Sequence, residues 1–154
     1  YSSEKIVYLD VEKIMQESIA GKSIITQIKK KRESSISKFK KKEKDIFDKE
    51  KKLIAQKNVL SKDEFESKIK ELRNEISNYQ KERNKTSNDI AKLRIKASTK
   101  LISKLTPILE EYAKKNSIRI IIQKKQIVMG TKEDDITKDI LELFNQKIKN
   151  IKLD

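Results

Sequence analysis

The chain has no cysteine, no histidine and no tryptophan, and the first two absences each remove a class of chemistry. Without cysteine there is no disulfide, thiol nucleophile or thiolate metal ligand. Without histidine there is no imidazole base, so the usual catalytic triads and zinc centres cannot be assembled. Two glycines and one proline leave few turn-forming positions, which suits long helices. Neither G-x-x-x-x-G-K-[ST] nor G-x-G-x-x-G occurs, so no phosphate-cradling loop is visible. No apolar run approaches the ~18 residues of a membrane-crossing helix. Carboxylates are plentiful, but on charged helices they face water or pair with lysine. Glu133, Asp134 and Asp135 lack the spacing of a calcium loop and read as a loop entering a helix N-terminus. An enzyme, a metal site and a cofactor are all disfavoured.

What is present is charge. Charged residues make up 40% of the 154 positions and apolar residues 35%, with a net charge of +14. The excess is segregated: Lys22 to Lys104 holds 26 Lys/Arg and 12 Asp/Glu, whereas the remainder holds 12 of each. The central segment therefore carries the entire net charge. A neutral portion can pack and assemble, while a cationic portion attracts acidic or anionic partners through its long-range field.

Apolar spacing divides the chain further. Lys5 to Asp10 (KIVYLD) reads as a short strand. Val11, Ile14, Met15 and Ile19 have helical spacing, and Gly21 is placed to mark a bend. Arg119 to Gln123 and Gln126 to Met129 read as two strands joined at Lys124–Lys125. Ile136, Ile140, Leu141, Phe144 and Ile148 mark a last amphipathic helix. Pro107 falls within a helical pattern and should kink or restart it.

Between these ends lies a heptad pattern. Ile25, Arg32, Phe39, Ile46, Leu53 and Leu60 form one row. The companion row of Ile28, Ser35, Lys42, Lys49 and Gln56 is mostly polar. Ser61 and Glu64 form the S-x-x-E signature of a new helix start. Beyond it, Phe65, Leu72, Tyr79, Thr86 and Leu93 alternate with Ile69, Ile76, Arg83, Ile90 and Ala97 at the four-three spacing of a coiled coil. A hairpin closed near Ser61 sets Leu60 against Phe65, Leu53 against Leu72, Ile46 against Tyr79 and Phe39 against Thr86. Such arms would reach ~60 Å. The layer of Lys42 against Arg83 would set like charges together, so the seam should be loose.

The fold class expected is α+β, mainly α, with a long antiparallel coiled-coil hairpin inserted in a small strand-rich body. Residues 1–21 and 105–154 make the body, with short helices. Residues 22–104 make the basic arm, its tip near 61–64. Three short strands are marginal alone, and their open edges call for self-association. Ile6, Val7, Leu9, Ile120, Ile122, Ile127 and Met129 are assigned to that oligomerisation body. Ile36, Phe47 and Ile54 lie off the seam, nearly on one line, and are candidates for gripping partners, with Lys42 and Arg83 as candidate charged contacts. The sequence opens at Tyr1 without a signal peptide, which fits a cytosolic protein or a secreted one already processed.

This order of elements resembles the Skp/OmpH family. The opening KIVYLDVEKIMQESIAGKS is similar to that family's first strand and D-x-x-x-(I/L)-x-x-E-S-x-x-G segment, at Asp10, Ile14, Glu17, Ser18 and Gly21. The closing segment is similar to its D-I-T-x-x-(I/V)-(L/I), at Asp135, Ile136, Thr137, Ile140 and Leu141. The resemblance implies a periplasmic homotrimer whose signal peptide has been removed. It further implies an ATP-independent holdase that keeps unfolded outer-membrane β-barrel proteins from aggregating, in a cavity between the arms. Anionic lipid or lipopolysaccharide would be a further contact, and nucleic acid only a non-specific one. The alternative from charge alone is a nucleic-acid-binding or structural tethering coiled coil, but Phe39, Phe65 and Tyr79 sit on the seam rather than free for base stacking.

Overall fold

The structure, a computed structural model, describes residues 3–154; Tyr1 and Ser2, which open the expected body, lie outside them. The chain divides into two compact units, one running to Ile28 and resuming at Leu93, the other Lys29–Lys92.

The first unit begins with strand β1 (Lys5–Leu9), whose alternation buries Val7 and Leu9 and leaves Ile6 exposed. The Asp10 carboxylate accepts the Lys13 N–H at 3.0 Å and so caps helix α1 (Val11–Glu17). The bend comes at Ser18, where the backbone turns extended (ψ 154°), three residues earlier than glycine would suggest. The Ser18 hydroxyl accepts the Gly21 N–H at 2.8 Å, capping the start of helix α2 (Ile19–Ala55). Gly21 therefore lies inside a helix, for a different reason: a Cβ there would sit 1.9 Å from the Met15 carbonyl oxygen.

Helix α3 (Lys62–Lys115) runs through Pro107 without restarting. Proline removes one backbone donor, but Leu101, Leu105 and Ile108 are buried along one face across it. Their packing outweighs one missing hydrogen bond. Ser117, in the left-handed region (φ 55°), ends the helix and turns the chain into strand β2 (Ile118–Gln123).

β2 pairs with β1 in parallel, with Val7 opposite Ile121 and Leu9 opposite Gln123. The expected strand at Gln126–Met129 does not form. Lys124–Gln126 is instead a single 3₁₀ turn, and among the described residues the sheet has two strands. A tight turn would make the segment an antiparallel partner of β2, and the chain turns back to β1 instead. The chain after it is tied back to β1: the Tyr8 hydroxyl donates to the Thr131 carbonyl at 2.9 Å, and the Ile136 N–H to the Tyr8 carbonyl at 3.1 Å.

Helix α4 (Thr137–Lys147) starts at an interlock. Thr137 Oγ1 accepts the Asp10 N–H at 2.9 Å while its hydroxyl donates to Asp135 at 2.5 Å; Asp135 also accepts the Thr137 N–H at 3.0 Å. The two sequence segments that carried the family resemblance thus bond directly to each other. Behind them Leu9, Ile14, Ile24, Leu101, Leu105, Ile140 and Phe144 are buried together. At the far end of α3 the Tyr112 hydroxyl donates to Asp139 at 2.7 Å; burial, then that carboxylate, pushes its pKa up to about 12. Glu111 bridges Lys147 and Lys115, each at 3.0 Å, and they hold its carboxyl down to about 2.

In the second unit α2 and α3 form an antiparallel pair. Its turn is capped by Ser61, whose hydroxyl accepts the Glu64 N–H at 3.2 Å and whose carbonyl accepts the Phe65 N–H at 2.9 Å. Of the seam residues the heptads mark, Leu53 is buried, and Phe39, Ile46, Leu60, Phe65, Leu72, Tyr79 and Thr86 are half-buried.

Gly21 provides a test in which two effects oppose. Glycine inside a helix is worth about 1 kcal/mol less than alanine. The 1.9 Å approach to backbone, however, leaves no room for Cβ. Gly21→Ala should therefore lose roughly 1–3 kcal/mol by thermal unfolding, as overpacked sites do. An unchanged or raised melting temperature would show that the contact relaxes without cost.

Candidate client-binding surface

The surface is built from the periodicity of α2. Phe47 and Ile54 each follow a seam residue, Ile46 and Leu53, so their side chains point ~100° away from the seam. Ile36 falls within ~20° of the same line. Ile36, Phe47 and Ile54 are 46%, 55% and 67% exposed, which is far from what a core position tolerates. Lys51 places its ammonium 5.2 Å from the Phe47 ring centre, so a cation borders the apolar line there.

The two charged candidates are arranged differently from the expectation. Lys42 and Arg83 do not form a like-charge layer, because each has found a carboxylate. Lys42 bonds to Glu82 in the seam, and Lys38 reaches the other oxygen of Glu82 at 2.5 Å. Arg83 turns outward to Glu43 at 3.2 Å, and Glu43 also accepts from the Tyr79 hydroxyl. Lys49 likewise leaves the seam to bridge Glu75 at 2.8 Å. The physical reason is that long cationic side chains can swing out of a helical interface and keep only their stems in it. Sequence spacing alone hides this, since Glu43, Glu75 and Glu82 lie off the heptad rows. Phe39 and Tyr79 stack edge to face at 5.8 Å, so the mid-section has one aromatic contact and a set of cross-helix ion pairs.

One consequence bears on the stripe. Glu43 precedes Phe47 by one helical turn, and its charge is matched by Arg83 across the pair. Glu50 follows Phe47 by about one turn on the same side as Glu43, so carboxylates border the line on one side and Lys44 and Lys51 on the other. Further exposed apolar residues escaped the periodicity argument: Val59 at the turn is 81% exposed, and in the other unit Ile95 is 69% exposed. Neither belongs to a heptad row, so no sequence signal set them apart.

The residues assigned to the oligomerisation body separate into two faces. Val7 and Leu9 are core residues of their own chain; Ile6, Ile120 and Met129 are 56%, 43% and 88% exposed, and Ile122 and Ile127 are half-buried. Because Ile6 pairs with Ile120, the sheet presents an apolar outer face as well as an inner one.

The profile of a family described as Outer membrane protein (OmpH-like) matches residues 5–144. The chain belongs to the OmpH-like family. A crystal structure, at 2.83 Å, of a Caulobacter crescentus CB15 protein assigned as an OmpH-like outer membrane chaperone has a TM-score of 0.89 to this chain. The match covers 99% of this chain and 90% of that one at 13% identity, a likeness of fold. No curated protein matches the sequence at a significant level. Among the described residues of this OmpH-like chain no helix is long and apolar enough to cross a membrane, and no cluster of acidic side chains has the makings of a metal site.

The ion pairs make the hairpin acid-sensitive. Lys38, then Lys42, hold the Glu82 carboxyl down to about 2 from 4.5. A depressed carboxylate contributes stability above its unfolded pKa and loses it as pH falls, here between about 4.5 and 2. Spin labels at the exposed positions Lys44 and Lys81 should show a broadened distance distribution over that window, and Glu82→Gln should broaden it already at neutral pH. A distribution unchanged down to pH ~2 would mean that the apolar contacts alone hold the pair.

Proposed function

We propose that this protein is an ATP-independent holdase of the periplasm that binds unfolded outer-membrane β-barrel proteins and prevents their aggregation. The observation that carries the reading is the uncovered line of Ile36, Phe47 and Ile54 on a cationic helix. Supporting it is membership of the OmpH-like family, one of whose structural counterparts is assigned as an outer membrane chaperone.

The energetics suit reversible capture. Fully burying an Ile or Phe is worth about 1.5–3 kcal/mol, so covering one that is already half-buried yields about 1 kcal/mol. A single stripe therefore grips weakly, and several copies around one client would grip through effective concentration. The family resemblance implies that the copies number three, a homotrimer with hairpins around a shared cavity. The free edge of β2, the apolar outer face of the β1–β2 sheet and the exposed Met129 are the surfaces we assign to that assembly. Weak individual contacts also explain how a client can leave without a nucleotide cycle, and catalysis has no part in the reading. The arm's cations, Lys42 and Arg83 included, would draw in acidic clients and touch anionic lipid or lipopolysaccharide headgroups. They would bind nucleic acid only non-specifically, since Phe39, Phe65 and Tyr79 are committed to the seam.

Replacing Ile36, Phe47 and Ile54 together by Ser should cut suppression of aggregation of an unfolded β-barrel protein several-fold. Native mass and helical circular dichroism should stay as they were. If the substituted protein suppresses aggregation as well as the parent, the stripe is not the gripping surface.

A further inference from the structure

The residues after α4 lie beyond the family match, which ends at Phe144, yet they are built into the fold. Residues 148–154 are non-helical, and Ile151 and Leu153 are 3% and 2% exposed while Asn150, Lys152 and Asp154 face solvent. This period of two is that of an extended strand with one apolar face. Its buried side chains belong to the same cluster as Ile24 of α2 and Ala97 and Leu101 of α3.

The backbone of this strap is read by side chains of both long helices. The Gln27 amide donates to the Ile151 carbonyl at 2.7 Å and accepts the Leu153 N–H at 3.2 Å. One amide serving a carbonyl and the N–H two residues on gives the strap the bonds a neighbouring strand would give. Lys100 donates to the Lys152 carbonyl at 2.7 Å, and the Ser23 hydroxyl bonds to Asn150. Three of these four contacts go to main chain, so they select conformation rather than sequence. With two apolar seats on one side, the site has the parts of a strand-binding groove.

We propose that the groove formed by Ser23, Gln27 and Lys100 over the Ile24–Leu101 core is a binding site for extended polypeptide with apolar residues at alternate positions, held shut by the chain's own residues 148–154. The inference deepens the holdase reading and rests on it for the identity of the ligand: strands destined for a membrane barrel carry this alternation. The strap is then an internal competitor. A client segment enters by displacing it, and the groove stays covered when no client is present.

Two measurements on the full chain decide the matter. The first uses a fluorescein-labelled peptide with the sequence of residues 148–154 and the variant Ile151→Asp/Leu153→Asp, whose strap cannot seat. The variant should bind the peptide at least ~tenfold more tightly than the parent, the factor by which a seated competitor masks a site. Binding no tighter than the parent's, or equal binding of a peptide with Asp at both apolar positions, would overturn the proposal if helical circular dichroism is unchanged. The second needs no variant. Hydrogen exchange at the Leu153 N–H of the parent should lose protection when the free peptide is added in excess, and when an unfolded β-barrel protein is added. Unchanged protection with the peptide rejects the groove. Lost protection with the peptide but no interaction with the barrel protein keeps the groove and removes the holdase reading.

Discussion

Parallel pairing of β1 with β2 is the constraint from which the rest follows. Two parallel strands cannot be joined by a tight turn, so the chain needs a long crossover between Leu9 and Ile118. Here that crossover is α1, α2 and α3, and its return leg reaches β2 only because α3 remains one helix through Pro107. The interlock of Asp10, Asp135 and Thr137 fastens the start of the crossover to the start of α4. A core of aliphatic residues and Phe144 then closes over both.

The paired helices of the second unit follow a different economy. Their seam buries one leucine and otherwise relies on half-covered side chains and on ion pairs that remain partly exposed. Exposed pairs are each worth up to ~1 kcal/mol and are screened by salt. Such a structure holds its register while remaining easy to open. Under the holdase proposal that combination suits a surface that adapts to clients of no fixed shape, and Lys51 beside the half-exposed Phe47 limits the cost in solubility.

Much of this was legible in the amino-acid order. Heptad spacing places the turn at Ser61 and sets Leu53 against Leu72, because a repeat of apolar residues on one helical face specifies both partner and register. The strands at Lys5–Leu9 and Ile118–Gln123 follow from β-branched runs, and α4 from its apolar spacing. The uncovered Ile36, Phe47 and Ile54 could be placed off the seam by angle alone. Less was legible for charged positions. Lys42 and Arg83 occupy seam positions in the repeat but have side chains long enough to leave them, and only the positions of Glu82 and Glu43 decide where they go.

The sequence by itself determined the helices, their pairing, the cationic arm and the absence of thiol and imidazole chemistry, because periodicity and composition are properties of order alone. The tertiary structure decided what depends on distant neighbours. It made the sheet parallel, left Gln126–Met129 without a partner, and moved the bend from Gly21 to Ser18. It also buried Ile151 and Leu153 beneath the side chain of Gln27, more than 120 positions away in the chain. No local pattern encodes such contacts: whether an apolar residue is covered depends on what the rest of the fold brings to it.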